Sequence, residues 1–316
     1  MCNYSLLNFS ILIVFLGHKV QTLTNENIIG GELTEITSYP YHAYVSISND
    51  LCNGVIINER HIITAAHCVA NELGQFENKN VRIVVGAHNF IKNCVSRLEA
   101  KAVVVYLHKN FHPEKSFEND IAVIKLNIRI PIDDYFIGKV KLPEPFVDAD
   151  LESYVDTKPI FTGFGANSKP TDDWDGHFNG KAAELSGNLY FSRAIVLPSE
   201  ECLMTYYTYN HVKRFFCSQL ERSEGTLSKG TCQGDSGGPL VLKMNGEDTL
   251  IGILSGGDDD CDDNIMPSVY VRISYYRDFI DCAISKTLAA KTVCSDMVRC
   301  FCTTQWKWIN CFNGLS

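Results

Sequence analysis

The sequence has little that would take it to a membrane span or a nucleic acid. Across its 316 residues no stretch approaches the ~18 consecutive apolar residues of a membrane-crossing helix. Positive charge is scarce: 28 Lys and Arg stand against 37 Asp and Glu, a formal net charge of −9. Nucleic acid is therefore not an expected partner. Internal repeats and low-complexity tracts are lacking, apart from one aspartate-rich run at 258–263. No Asn-x-Ser/Thr triplet occurs beyond residue 8, so no N-glycan is expected on the mature chain.

Residues 6–17 (LLNFSILIVFLG) form a short, mostly apolar segment of the length of a secretory signal core. No Lys or Arg precedes it, and no small-x-small cleavage site stands out before residue 25. A buried core helix is the alternative reading. There are 13 cysteines. Loss of Cys2 with the signal would leave an even, dense set, the pattern of disulfides formed in an oxidising compartment. The two observations agree on a secreted, extracellular protein.

From Ile28 onward, short β-rich runs alternate with Gly, Asn and Pro breaks. They occur at 41–47, 54–58, 81–85, 101–107, 120–126, 159–164, 238–244, 250–254 and 268–273. Such spacing predicts an all-β barrel or sandwich. The clearest helical period comes late, at 275–288, where Tyr276, Phe279, Ile280, Ala283 and Ile284 recur on one face. After Ala290 the composition changes to a tail with four cysteines and two tryptophans, read here as separate.

Three short motifs carry chemistry. Ser236 lies in GDSGGP (234–239), His67 in TAAHC (64–68) and Asp120 in NDIAVIKL (119–126). Taken singly, these are a surface turn, a histidine packed near a disulfide and the start of a strand. Together, in the order His, Asp, Ser, they resemble the chymotrypsin/trypsin family. That order differs from those of subtilisins and α/β-hydrolases. The resemblance runs from about Ile28 to Cys282 and includes IIGG (28–31), TGFG (162–165) and SVYVRI (268–273). It implies two packed antiparallel six-stranded β-barrels, split near residue 140, with a C-terminal α-helix. The expected organisation is a signal and short pro-segment over 1–27, a peptidase domain over 28–282 and a cysteine-rich tail over 283–316.

The resemblance also implies roles. Ser236 is the nucleophile, His67 the general base and then acid, and Asp120 the group that fixes the imidazole. The N–H groups of Gly234 and Ser236 would form the oxyanion hole. In the zymogen scheme, cleavage frees the Ile28 amine, which pairs with buried Asp235. Asn27 stands where trypsin-like activators expect Lys or Arg. Three disulfides are implied: Cys52–Cys68, Cys202–Cys217 and Cys232–Cys261. Pro159 and Leu242 occupy both positions of a fourth family pair. Cys94, Cys282, Cys294, Cys300, Cys302 and Cys311 then remain, with fifteen connectivities open.

The specificity pocket departs from trypsin. Its base falls at Gly230 and Ser268 and its wall at Ser255 and Gly257, none of them acidic. An unpaired P1 cation would lose its hydration there, so an apolar or aromatic P1 is expected. Gly256 replaces the family's usual wall tryptophan. The aspartate run borders this pocket, either as a solvated loop or as an attractor of basic substrate residues. The family's calcium loop falls near 87–99, where Glu99 is the single acidic residue, so no metal site is expected. No cofactor is implied. Expected partners are protein or peptide substrates and protein protease inhibitors, with the chain itself a monomer. A trypsin-fold binding or regulatory protein without turnover is the alternative, though such relatives usually lose a triad residue.

Overall fold

A computed structural model describes residues 28–302 and 307–309, apart from 30, 48–49, 72–73, 75, 77–79, 114–117, 167–186, 207–211, 222–228 and 286–297. The signal segment, Asn27, Cys294, Trp306 and Cys311 lie outside the described residues. The strands are β1 (Glu32–Leu33), β2 (His42–Ile47), β3 (Asp50–Asn58), β4 (His61–Thr64), β5 (Val81–Val85), β6 (Leu98–His108) and β7 (Ala122–Leu126). They continue with β8 (Ile160–Gly163), β9 (Tyr190–Val196), β10 (Phe215–Leu220), β11 (Pro239–Met244), β12 (Glu247–Gly256), β13 (Ser268–Arg272), β14 (Val298–Cys302) and β15 (Lys307–Ile309).

Six strands, β2 to β7, run in the order β6-β5-β2-β3-β4-β7 and close through β6 and β7. Six more, β8 to β13, run β9-β10-β13-β12-β11-β8 and close through β9 and β8, with β1 added beside β9. Every pairing is antiparallel, so two closed six-stranded barrels result, as the resemblance implied. Strand β9 went unread in the sequence because Ser192 and Arg193 interrupt its apolar content. Its alternation is nevertheless strict, with Tyr190, Ser192, Ala194 and Val196 buried.

Each barrel fills its own interior. Val45, Ile56, Ile62, Ile83 and Ile124 pack in the first, and Phe161, Leu240, Ile251 and Tyr270 in the second. A third apolar group joins them: Val55, Ile63 and Val123 meet Leu250, Ile253 and Val271 across the seam. Helix α1 (Ser199–Tyr206) precedes β10, and α2 (Arg277–Ile284) lays Phe279, Ile280 and Ala283 onto the seam. The helix expected over 275–288 is thus present, with tighter limits. Among the described residues no helix is long and apolar enough to cross a membrane.

The tail does not stand apart. Strand β14 pairs with β6 from Val298↔His108 to Cys302↔Val104, and β15 folds back on β14. The reason lies in β6, whose pairing with β5 covers only Leu98 to Lys101. The rest of that edge would otherwise present unpaired N–H and C=O groups. Cys52–Cys68, Cys202–Cys217 and Cys232–Cys261 are disulfides, as implied. Cys94 and Cys282 are also disulfide-bonded.

Candidate active site

The seam between the barrels gathers the three motif residues. His67 follows β4, Asp120 precedes β7 and Ser236 precedes β11. His67 Nδ1 lies 2.7 Å from Asp120 Oδ2, and the His67 amide donates to Asp120 Oδ1 at 2.8 Å. Asp120 is buried, while the His67 side chain is 37% exposed. Burial by itself would lower the imidazole pKa; the charge and hydrogen bond of Asp120 reverse this and hold it above 6.5. Burial likewise opposes the Asp120 carboxylate, yet the His67 charge, its hydrogen bonds and that of Ser255 keep its pKa below 3.8.

Ser255 was expected along the pocket wall. Its hydroxyl donates to Asp120 Oδ2, so the side chain contacts the carboxylate that holds His67. A β-bulge explains the redirection: Leu254 pairs with Tyr270 and Gly256 with Val269, which leaves Ser255 as the extra residue. Bulges re-aim side chains in this way beside active sites.

The turn around Ser236 is held from several sides. Asn53 on β3 donates its amide N–H to the Ser236 carbonyl at 2.8 Å, and its Nδ2 donates to the Gly234 carbonyl at 2.7 Å. Asn53 Oδ1 accepts from Phe164 N at 3.2 Å and lies 2.9 Å from His42 Nε2. Burial lowers the His42 pKa to about 4, so this imidazole is neutral near pH 7. Asn53 and His42 went unread in the sequence, where no motif marks them. Gly234 has φ of +90°, a conformation that favours glycine. Among the described residues, no group accepts a hydrogen bond from the Gly234 or Ser236 N–H. Nor does a hydrogen bond join Ser236 Oγ to His67 Nε2, which lies 3.8 Å from Cys68 Sγ. Cys52, His67 and Cys68 cluster closely, but both sulfurs are consumed in a disulfide.

Asp235 is fully buried and accepts from Gly165 N and Cys232 N, each at 2.9 Å. A Cβ on Gly165 would stand 2.4 Å from its carboxyl carbon, which accounts for the glycine in TGFG. Ile28, also fully buried, packs with Phe161 and Tyr190. In the continuous chain its nitrogen is an amide and carries no charge. With no cation acting on it among the described residues, burial pushes the Asp235 carboxyl up to about 7.

A model of the Trypsin family matches residues 28–280. The chain belongs to that family. The clotting factor G beta subunit of Tachypleus tridentatus is 30% identical over 266 residues, which cover 80% of this chain and 78% of that protein. Trypsin zeta of Drosophila erecta is 29% identical, covering 80% and 84%. Tissue-type plasminogen activator of Mus musculus is 27% identical over 80% of this chain, which spans only 44% of that relative. The solved structure of neuropsin, a serine protease from mouse brain, shares the fold: TM-score 0.63 and 24% identity over 82% of this chain and all of neuropsin.

Gly230 and Ser268, expected at the pocket base, are closely packed. A Cβ on Gly230 would meet the Cys261 carbonyl oxygen at 2.6 Å and Asp263 N at 3.0 Å. The loop after β12 already fills the space a base side chain would take. Ser268 Oγ donates to Asp263 Oδ1 at 2.7 Å and lies 2.8 Å from Thr231 Oγ1. Both hydroxyls face Gly257, whose hypothetical Cβ would stand 3.2 Å from Thr231 Oγ1 and 3.4 Å from Ser268 Oγ. The aspartate run therefore divides: Asp259 and Asp260 are exposed, whereas Asp262 and Asp263 are buried.

Proposed function

We propose that this chain is a secreted serine endopeptidase that cuts peptide bonds through an acyl-enzyme. The observation that carries this reading is the 2.7 Å contact of His67 with buried Asp120, beside a nucleophile turn whose two N–H donors are open. Ser236 Oγ adds to the scissile carbonyl as His67 Nε2 takes its proton. The oxyanion forms against the Gly234 and Ser236 N–H groups. His67 then returns the proton to the leaving amine, and water hydrolyses the ester by the same route. Cleavage after Asn27 frees the Ile28 ammonium, which pairs with Asp235 and replaces a buried unpaired carboxyl by an ion pair. Protein substrates and protein inhibitors are the partners. The uncharged residues at Gly230 and Ser268 support an apolar or aromatic P1 over Arg.

The test is labelling and turnover of the activated protein. A fluorophosphonate should bond covalently to Ser236, and Ser236→Ala should lower kcat roughly 10⁶-fold. Near wild-type turnover by Ser236→Ala would overturn the assignment.

A further inference from the structure

Asp263 is 3% exposed and stands behind the pocket base. Its Oδ2 accepts from Leu220 N at 2.9 Å and its Oδ1 from Ser268 Oγ at 2.7 Å. The chain of contacts continues from Ser268 Oγ to Thr231 Oγ1, and both hydroxyls stand beside Gly257, which carries no side chain to cover them. A carboxyl thus lies one hydrogen bond behind the two hydroxyls that a P1 side chain would reach. The backbone holds it there: its own N–H donates to the Lys229 carbonyl at 2.9 Å, and Gln219 Nε2 donates to its carbonyl at 2.9 Å. The Cys232–Cys261 disulfide ties the loop two residues away.

We propose that Asp263 is a specificity-determining residue, acting through Ser268 and Thr231 so that the pocket accepts a P1 lysine when Asp263 is ionised and an apolar P1 when it is protonated. This rests on the peptidase reading of Ser236 and His67. The ionised carboxylate accepts from Ser268, which leaves lone pairs on the two hydroxyl oxygens pointing forward. A lysine ammonium donates to both and finds its countercharge one bond behind. Protonation reverses the chain: Asp263 donates to Ser268, Ser268 to Thr231, and Thr231 presents O–H to the pocket, which repels a cation. Two close oxygen acceptors suit a compact ammonium. A guanidinium, which is planar and favours a bidentate carboxylate, finds no such fork, so arginine is the poorer cation.

The surroundings keep both states accessible. Among the described residues, the charged or titratable groups around Asp263 are Asp258 and Asp262 on its own loop, Asp235 on the nucleophile turn and Tyr270 on β13. Lys229, whose carbonyl Asp263 contacts, gives its ammonium to the Glu221 carbonyl. Burial, and then the two loop aspartates, push the Asp263 carboxyl up to about 7 against the Ser268 and Leu220 hydrogen bonds. Ionisation therefore proceeds as pH rises through neutrality.

The experiment measures kcat/KM of the activated protein on matched P1-Lys, P1-Arg and P1-Phe peptides between about pH 5.5 and about pH 8.5. The Lys-to-Phe ratio cancels the titration of His67, which all substrates share. It should rise roughly tenfold or more over that range, with Lys ahead of Arg throughout. In Asp263→Asn the ratio should stay flat, and Ser268→Ala should lower the high-pH ratio as well. A ratio independent of pH in the wild type, or an unchanged rise in Asp263→Asn, would overturn the proposal. If Asp263→Asn fails to fold, Thr231→Val must blunt the rise. If no peptide is cut at all, the peptidase reading fails separately, and calorimetric titration with n-butylammonium reads the pocket instead. Binding tighter at high pH, and lost in Ser268→Ala, supports the proposal; binding indifferent to pH sinks it.

Discussion

Asn53 donates its side-chain amide to the Gly234 carbonyl at 2.7 Å, so the first barrel grips the turn that carries Ser236 in the second. The same residue reaches buried His42 and Phe164 N, which fixes its orientation. Asn53→Ala should therefore act on the placement of the Gly234 N–H. We expect kcat to fall roughly tenfold with little change in KM, the size of one lost hydrogen bond. Steady-state kinetics settle it; a loss confined to KM would assign Asn53 to substrate binding.

Asp120 holds the His67 pKa above its usual 6.5, and the general base must be neutral to work. The acid limb of the kcat/KM profile should therefore lie above that value. Asp120→Asn removes both charge and tautomer control. The limb should move to lower pH while kcat drops about 10⁴-fold. A limb that stays in place would mean that another group sets it.

Asp235 and Asp263 each have a folded pKa of about 7 against 3.8 when unperturbed. A raised folded value means that their stabilising contribution is complete below 3.8 and is lost as pH rises through about 7. The melting temperature of the uncleaved protein should fall by roughly several degrees between about pH 4 and about pH 8. Asp235→Asn should flatten its share of the slope, and cleavage after Asn27 should do likewise by supplying the Ile28 ammonium. An identical slope in Asp235→Asn would reject the assignment. Asn27→Arg gives a chain that trypsin can cleave for this comparison.

Gly165→Ala sets a methyl 2.4 Å from the Asp235 carboxyl carbon, where the three nearest neighbours are all atoms of that buried carboxyl group. A cost of roughly 1–3 kcal/mol in unfolding free energy is expected. Urea titration checks it, and wild-type stability would mean that the turn relaxes freely.

The sequence by itself determined the all-β class and the late helix, and its resemblance to the family implied the two barrels and the three disulfides. The class and the helix are carried by local periodicity, and the resemblance by motifs of five to eight residues around His67, Asp120 and Ser236. The alternation in β9 lies in its burial and not in its residue types, since Ser192 is buried while Phe191 and Ile195 are on the half-buried face. The pairing of β14 with β6 was not there to be read either, because edge demand depends on how far β5 reaches along a neighbouring strand. The tertiary structure alone decided what the side chains around the triad do. Asn53 meets Gly234 across 181 positions, Ser255 meets Asp120 across 135, and Asp263 meets Leu220 across 43. In sequence Asp263 is one of five similar aspartates. Burial sets Asp263 and Asp262 apart from the other three, and only the packed chain says which carboxyls are taken out of water.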